Sequence, residues 1–79
     1  MNYYVYILRC NNNHFYVGCT NNLKERMDKH KRGKVQATSN LLPLKLIFYC
    51  CFLDKYLAFK FEKYLKSGSG RAFLNKHLV

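Results

Sequence analysis

A chain of 79 residues with 49% hydrophobic and 16% aromatic content can bury one small core, which excludes a multidomain organisation. Fourteen Lys and Arg against four Asp and Glu leave a net charge of +10, so a polyanion such as nucleic acid is the expected partner. No apolar run reaches membrane-spanning length and no basic-then-apolar leader is present, so a membrane partner is disfavoured and a cytoplasmic location is expected.

Two short strands open the chain, about Tyr3 to Cys10 and Phe15 to Cys19, around the turn Asn11-Asn12-Asn13. Their β-branched and aromatic residues suit a pleated surface, and Asn tolerates the left-handed backbone of tight turns. For Tyr6 and Tyr16 to share a sheet face, paired residue numbers must sum to an even value, for example Cys10 opposite Tyr16. Val5, Ile7, Phe15 and Val17 then form the opposite face.

Thr20-Asn21-Asn22 offers N-cap residues, and Asn22 with Glu25 resembles a capping box, so a helix is expected to about Lys31, stopping at Gly33. Its apolar stripe is thin, Leu23 and Met27, while Arg26 and His30 lie one turn apart on a neighbouring face. Lys34 to Lys45 reads as a polar loop. Leu46 to Phe52 is a continuous apolar run of strand length, which predicts a central strand buried on both faces.

Asp54 is the expected cap of a second helix, Lys55 to Lys66, with an apolar stripe of Leu57, Phe61 and Leu65 flanked by Ala58 and Tyr64. Ser67-Gly68-Ser69-Gly70 reads as a break, and Arg71 to His77 as a short last helix. The order β-β-α-β-α-α defines a small α+β fold, a three-stranded antiparallel sheet flanked by helices, in a single domain over 1–79. Cys10, Cys19, Cys50 and Cys51 contain no Cys-x-x-Cys pair and read as free thiols, not a zinc site.

Four acids can be weighed one by one. Glu25 and Asp28 sit among lysines, where solvated ion pairs are expected, and Asp54 is a cap. Glu62 lies beside an apolar stripe, where a carboxylate needs a reason. A salt bridge to Lys66 and a functional role explain it equally well from pattern alone. So few acids cannot build a two-metal centre, but one carboxylate could hold a single Mg²⁺ or Mn²⁺ completed by water and phosphate oxygens. Arg26 could then neutralise transition-state charge, and a Tyr or His could activate water, a tyrosine only where nearby cations lower its pKa.

Tyr4-Val5-Tyr6 and Tyr16-Val17-Gly18, followed by Thr20-Asn21-Asn22-Leu23, Arg26, His30, Gly33-Lys34, Glu62-Lys63-Tyr64-Leu65-Lys66 and Gly70-Arg71-Ala72-Phe73-Leu74, resemble the GIY-YIG nuclease superfamily, especially its small stand-alone bacterial members. The likeness spans essentially the whole chain. It departs at Tyr4, which stands where the first triplet has glycine and for which packing is the expected role, and at Val5 and Val17, which replace isoleucines.

The resemblance implies a divalent-metal-dependent DNA endonuclease with one Mg²⁺ or Mn²⁺. It implies that Tyr6 helps deprotonate the attacking water, Tyr16 positions water or phosphate, Arg26 stabilises charge, and His30 relays the proton. It further implies that Glu62 binds the metal and Asn75 braces the site. Lys24, Lys29, Lys31, Arg32, Lys34 and Arg71 are the expected phosphate-contacting surface. Branched, flapped or damaged DNA are substrates compatible with a DNA-repair role, and a targeting protein is a further partner seen among related proteins. The competing reading is a non-catalytic nucleic-acid-binding module on the same scaffold.

Overall fold

A computed structural model describes residues 1–79 and has the expected α+β architecture. Strands β1 (Tyr3–Arg9), β2 (Phe15–Thr20) and β3 (Lys45–Phe52) form one antiparallel sheet in the order β2-β1-β3. Helix α1 (Leu23–Lys31) joins β2 to β3, and helices α2 (Lys55–Leu65) and α3 (Gly68–Phe73) close the chain, the last running into a π-helical turn, Leu74–Leu78.

The hairpin register pairs Tyr4 with Thr20, Tyr6 with Gly18 and Leu8 with Tyr16. The sums are even, so Tyr6 and Tyr16 do share a face. Cys10, however, is not opposite Tyr16. Its N–H bonds the His14 carbonyl, and Asn13, at φ 65°, closes a turn centred one residue earlier than expected, which makes Leu8 the partner of Tyr16. Val5, Ile7 and Val17 point the other way and form the core with Ala58 and Leu65 of α2 and Leu74. Phe15 packs against the same cluster.

β3 is an edge strand, not the central one. The centre belongs to β1, whose Val5-Tyr6-Ile7-Leu8 is fully buried. Ile47, Phe48, Cys50 and Phe52 of β3 pack on the core, but Leu46, Tyr49 and Cys51 on the other face stay exposed. The reason is length: α1 has nine residues and covers little beyond β1. The β1–β3 register shifts between Ile7 and Leu8, a bulge on the β3 side around Ile47.

Both expected caps are present. Asn22 Oδ1 accepts from the Glu25 N–H at 3.0 Å, and Asp54 Oδ1 accepts from the N–H groups of Tyr56 and Leu57. The buried side of α2 is rotated from the expected stripe. Ala58, Phe61 and Leu65 face the core, whereas Leu57 and Tyr64 are exposed. The Ser-Gly-Ser-Gly segment does end α2, but the break is confined to Lys66 and Ser67, because Ser67 caps a helix that already starts at Gly68. Gly70 is buried where α3 crosses the end of α2, and a Cβ there would collide with the Tyr64 carbonyl. Ala72 and Phe73 therefore fall on the exposed side, and Leu74 fills the core.

Candidate active site

The second sheet face carries Tyr4, Tyr6 and Leu8 of β1 beside Tyr16 and Gly18 of β2, with α1 laid across it. Gly18 is the cross-strand partner of Tyr6, and the Tyr6 ring lies directly over it. A Cβ at position 18 would come within 2.9 Å of Tyr6 Cε2 and overlap Cζ and Oη. Glycine is the residue that lets this ring lie flat on the sheet.

Above the ring, α1 presents Arg26 and His30, one turn apart. Tyr6 Oη lies 2.8 Å from His30 Nε2 and 3.4 Å from Arg26 Nε. His30 Nδ1 lies 2.8 Å from Thr38 Oγ1, and the Thr38 hydroxyl donates its one proton to the Val35 carbonyl at 3.5 Å. We assign the directions from the Val35 contact: Thr38 Oγ1 accepts from His30 Nδ1–H, which leaves Nε2 bare to accept from the Tyr6 O–H. Tyr6 in turn accepts from Arg26 Nε–H. The result is a one-way chain, Arg26 to Tyr6 to His30 to Thr38 to Val35. Tyr6, His30 and Thr38 are all buried, and every buried side-chain polar atom has a partner.

Electrostatics follow from this burial. His30 titrates below its ordinary value, chiefly because burial disfavours the imidazolium and secondarily because Arg26 is nearby. It is therefore neutral at pH 7. Tyr6 moves the other way from the expectation that cations would lower it. Burial raises its pKa, and the Arg26 hydrogen bond offsets this only in part. The Arg26 pKa is raised further, chiefly by its hydrogen bond to Tyr6, with burial opposing.

Tyr16 joins the cluster at the surface. Its half-buried ring packs edge-on against His30 at 5.4 Å and lies 6.4 Å from the Tyr6 ring. Glu62, on α2, is near enough for its charge to act on both Tyr6 and Cys19. Its side chain is 23% exposed, and its Oε2 takes the Lys66 ammonium at 3.1 Å, so the salt bridge weighed from the sequence is formed. Asn75 is exposed and donates to the Arg71 carbonyl one turn back, making no hydrogen bond to the tyrosine–histidine cluster. Thr38 is the member that sequence reading missed. It sits in a polar loop with no periodicity, and only the fold brings it to a residue eight positions earlier.

Lys24, Lys29, Lys31, Arg32, Lys34 and Arg71 are all exposed. Lys29 pairs with Glu25 and Arg32 with Asp28, whereas Lys24, Lys31, Lys34 and Arg71 join neither of these pairs nor that of Glu62. No three His, Cys, Asp or Glu side chains converge as a metal cage. The donor set does fit a hard cation held by one carboxylate, the mode of Mg²⁺ that keeps its waters and takes substrate phosphate oxygens.

A chemical test follows from the buried imidazole. Because the folded pKa of His30 is depressed, its contribution to stability is fully present above the unfolded value near 6.5 and is lost as pH falls below it. Urea midpoints should drop between pH 7.5 and pH 5. Thr38→Val strands the Nδ1–H and should cost roughly 1–3 kcal/mol at pH 7.5 in the same melts. An unchanged midpoint in the variant would refute the hydrogen-bonded chain.

Comparison with known proteins adds a lineage to this geometry. The sequence matches the GIY-YIG catalytic domain over residues 2–76. A UPF0213 protein of Lacticaseibacillus paracasei is 35% identical, the match covering 98% of this chain and 91% of that protein. The UPF0213 protein YazA of Bacillus subtilis is 36% identical, covering 82% of this chain and 67% of its own length. The solution NMR structure of a UPF0213 protein from Bacillus halodurans has a TM-score of 0.62 at 33% identity, covering 96% of this chain and 84% of that one.

Proposed function

The chain belongs to the GIY-YIG catalytic domain family and has a nuclease-type fold, and from this we propose that it is a divalent-metal-dependent DNA endonuclease, one nuclease domain over residues 1–79. The observation that carries the reading is the buried chain from Arg26 through Tyr6 and His30 to Thr38. A merely phosphate-contacting surface has no use for a neutral imidazole buried between a tyrosine and a threonine hydroxyl.

In this reading Tyr6 never ionises alone, which its raised pKa would make costly. The attacking water gives its proton to Tyr6 Oη while the Tyr6 proton passes to bare His30 Nε2, forming an imidazolium whose Nδ1–H stays on Thr38. The hydroxide equivalent attacks phosphorus in line, and the bond to the leaving oxygen breaks. Arg26 has two positions to serve. At rest it covers Tyr6 Oη through a long 3.4 Å contact, and an arriving phosphate draws the guanidinium onto its own oxygens, which uncovers that hydroxyl. Tyr16, at the surface, orients phosphate or water. Asn75 would act only as an outer brace, since it is exposed and its amide is tethered to the Arg71 carbonyl, away from the tyrosine–histidine cluster. The acid limb of the rate profile then belongs to His30 and lies below pH 6.5.

Glu62 would hold a single Mg²⁺ or Mn²⁺, which supplies Lewis acidity toward the phosphate and leaving oxygens. Lys24, Lys31, Lys34 and Arg71, with Lys29 and Arg32 once their pairs yield, would track the backbone of the DNA. The reading is tested by incubating duplex, single-stranded and branched DNA with Mg²⁺, Mn²⁺ or EDTA. Metal-dependent cutting supports it. One observation favours the second reading, a binding module: the Glu62 carboxylate is already neutralised by Lys66. Binding to every substrate with cutting of none, at any metal concentration, would establish that alternative.

A further inference from the structure

The face that carries the catalytic cluster has an aromatic site on its other flank. In the β1–β3 ladder Tyr6 is opposite Tyr49 and Tyr4 is opposite Cys51, so Tyr4 and Tyr49 project on the same side as Tyr6. Their rings meet edge to face, with centroids 6.2 Å apart and planes at 61°. Tyr49 is 54% exposed, and Leu46 beside it is 37% exposed. Around them α1 and the sheet enclose an open groove of about 520 Å³, lined by Tyr4, Tyr49, Leu46, Met27 and Lys24, with Asn22 at one end. Tyr16 and Gly18 lie toward β2 and this groove toward β3, so α1, about 10 Å across, separates the two.

We propose that Tyr49 and Tyr4, with Lys24 at the rim, form a stacking site for an unpaired nucleobase a few nucleotides from the cleaved phosphate. Three features of the groove select that occupant. It offers an open π face that any base can cover, in a protein of charge +10 that draws polyanions. The Lys24 side chain is exposed and free of the helix ion pairs, placed to meet a backbone phosphate. The groove also continues the catalytic face, so a strand crossing α1 reaches both with a few nucleotides. The site gives Tyr4 a use where the first triplet of the family has glycine.

A base inside a duplex is already stacked on its neighbours and cannot enter. The substrate class is therefore DNA with unpaired nucleotides near the cleavage point, a single strand, flap or bulge. The proposal deepens the nuclease reading and rests on it for the placement of the base relative to the cut.

The test separates the two. In EDTA, where nothing is cut, the intact protein is titrated with labelled oligothymidine and with a blunt duplex of equal length. Tyr49→Ala should weaken single-strand binding about tenfold and leave duplex binding within about twofold, and Tyr49→Phe should restore it. Lys24→Ala should weaken both and flatten their salt dependence. A second measurement needs no variant: oligothymidine carrying 5-iodouracil, irradiated on the wild-type protein, should crosslink to Tyr49 or Tyr4. Equal loss on both DNAs, no loss on either, or crosslinks confined to other tyrosines would overturn the stacking site. A single-strand preference that survives without metal-dependent cutting would overturn the nuclease reading and leave the site standing.

Discussion

Glu62→Gln should abolish metal-dependent cleavage, by at least about 10³-fold or roughly 4 kcal/mol of barrier, while the fold and DNA binding in EDTA should persist. The substitution keeps shape and removes charge. Its structural cost is the exposed pair with Lys66, an i,i+4 contact worth a few tenths of a kcal/mol. Removing an anion also raises the net charge of the protein, so DNA binding should tighten slightly. The effect on cutting is thus isolated from the effect on folding. Lys66→Met makes the complementary case. If the ammonium competes with the metal for Glu62, freeing the carboxylate should lower the Mg²⁺ concentration at half-maximal rate. Full activity in Glu62→Gln, measured with circular dichroism alongside, would remove Glu62 from the site.

Arg26→Ala should lower the cleavage rate by roughly 10²–10³, the range seen when one preorganised charge-stabilising donor is removed, or about 3–4 kcal/mol. Arg26→Lys should rescue little. An ammonium can neutralise a phosphate oxygen, but it has no planar fork to hold two oxygens or to cap the Tyr6 hydroxyl on the way. Because Arg26 is half-buried on the helix surface and its partner Tyr6 keeps its bond to His30, the fold should survive. Single-turnover rates at saturating DNA separate this from weakened binding. A variant that cuts at the wild-type rate would show that the guanidinium only covers Tyr6 and does no chemistry.

What the sequence made readable was local. A shared face for Tyr6 and Tyr16 required an even register, and the strands have one, though Tyr16 pairs with Leu8 and not Cys10. Asn22 and Asp54 announced their helices because capping is decided within four residues. What it concealed depended on distant chain. The Leu46–Phe52 run looks doubly buried because an apolar residue reads the same with or without a cover, and the cover here, nine residues of α1, falls short of β3. Gly68 and Gly70 look like a linker until the crossing with α2 is seen to require the smallest residue at Gly70. Thr38 gave no signal, since a buried threonine in a loop is defined by the histidine it meets and by nothing in its neighbours.

The placement of β3 at the rim of the sheet has a colloidal consequence. Its outer N–H and C=O groups form a ready template for a second strand, and Leu46, Tyr49 and Cys51 would be buried by such pairing. The bulge near Ile47 spoils the template over part of its length, and the mutual repulsion of two +10 chains guards the rest. That guard has a range of only about 8 Å at physiological ionic strength, and it weakens as lysines are neutralised by a bound polyanion. Light scattering should therefore rise with added salt, opposite to the usual salting-in of a charged protein. Repulsion between copies of the chain rests on the same charges with which it would hold DNA, so each occupied phosphate site loosens the restraint on its own open edge.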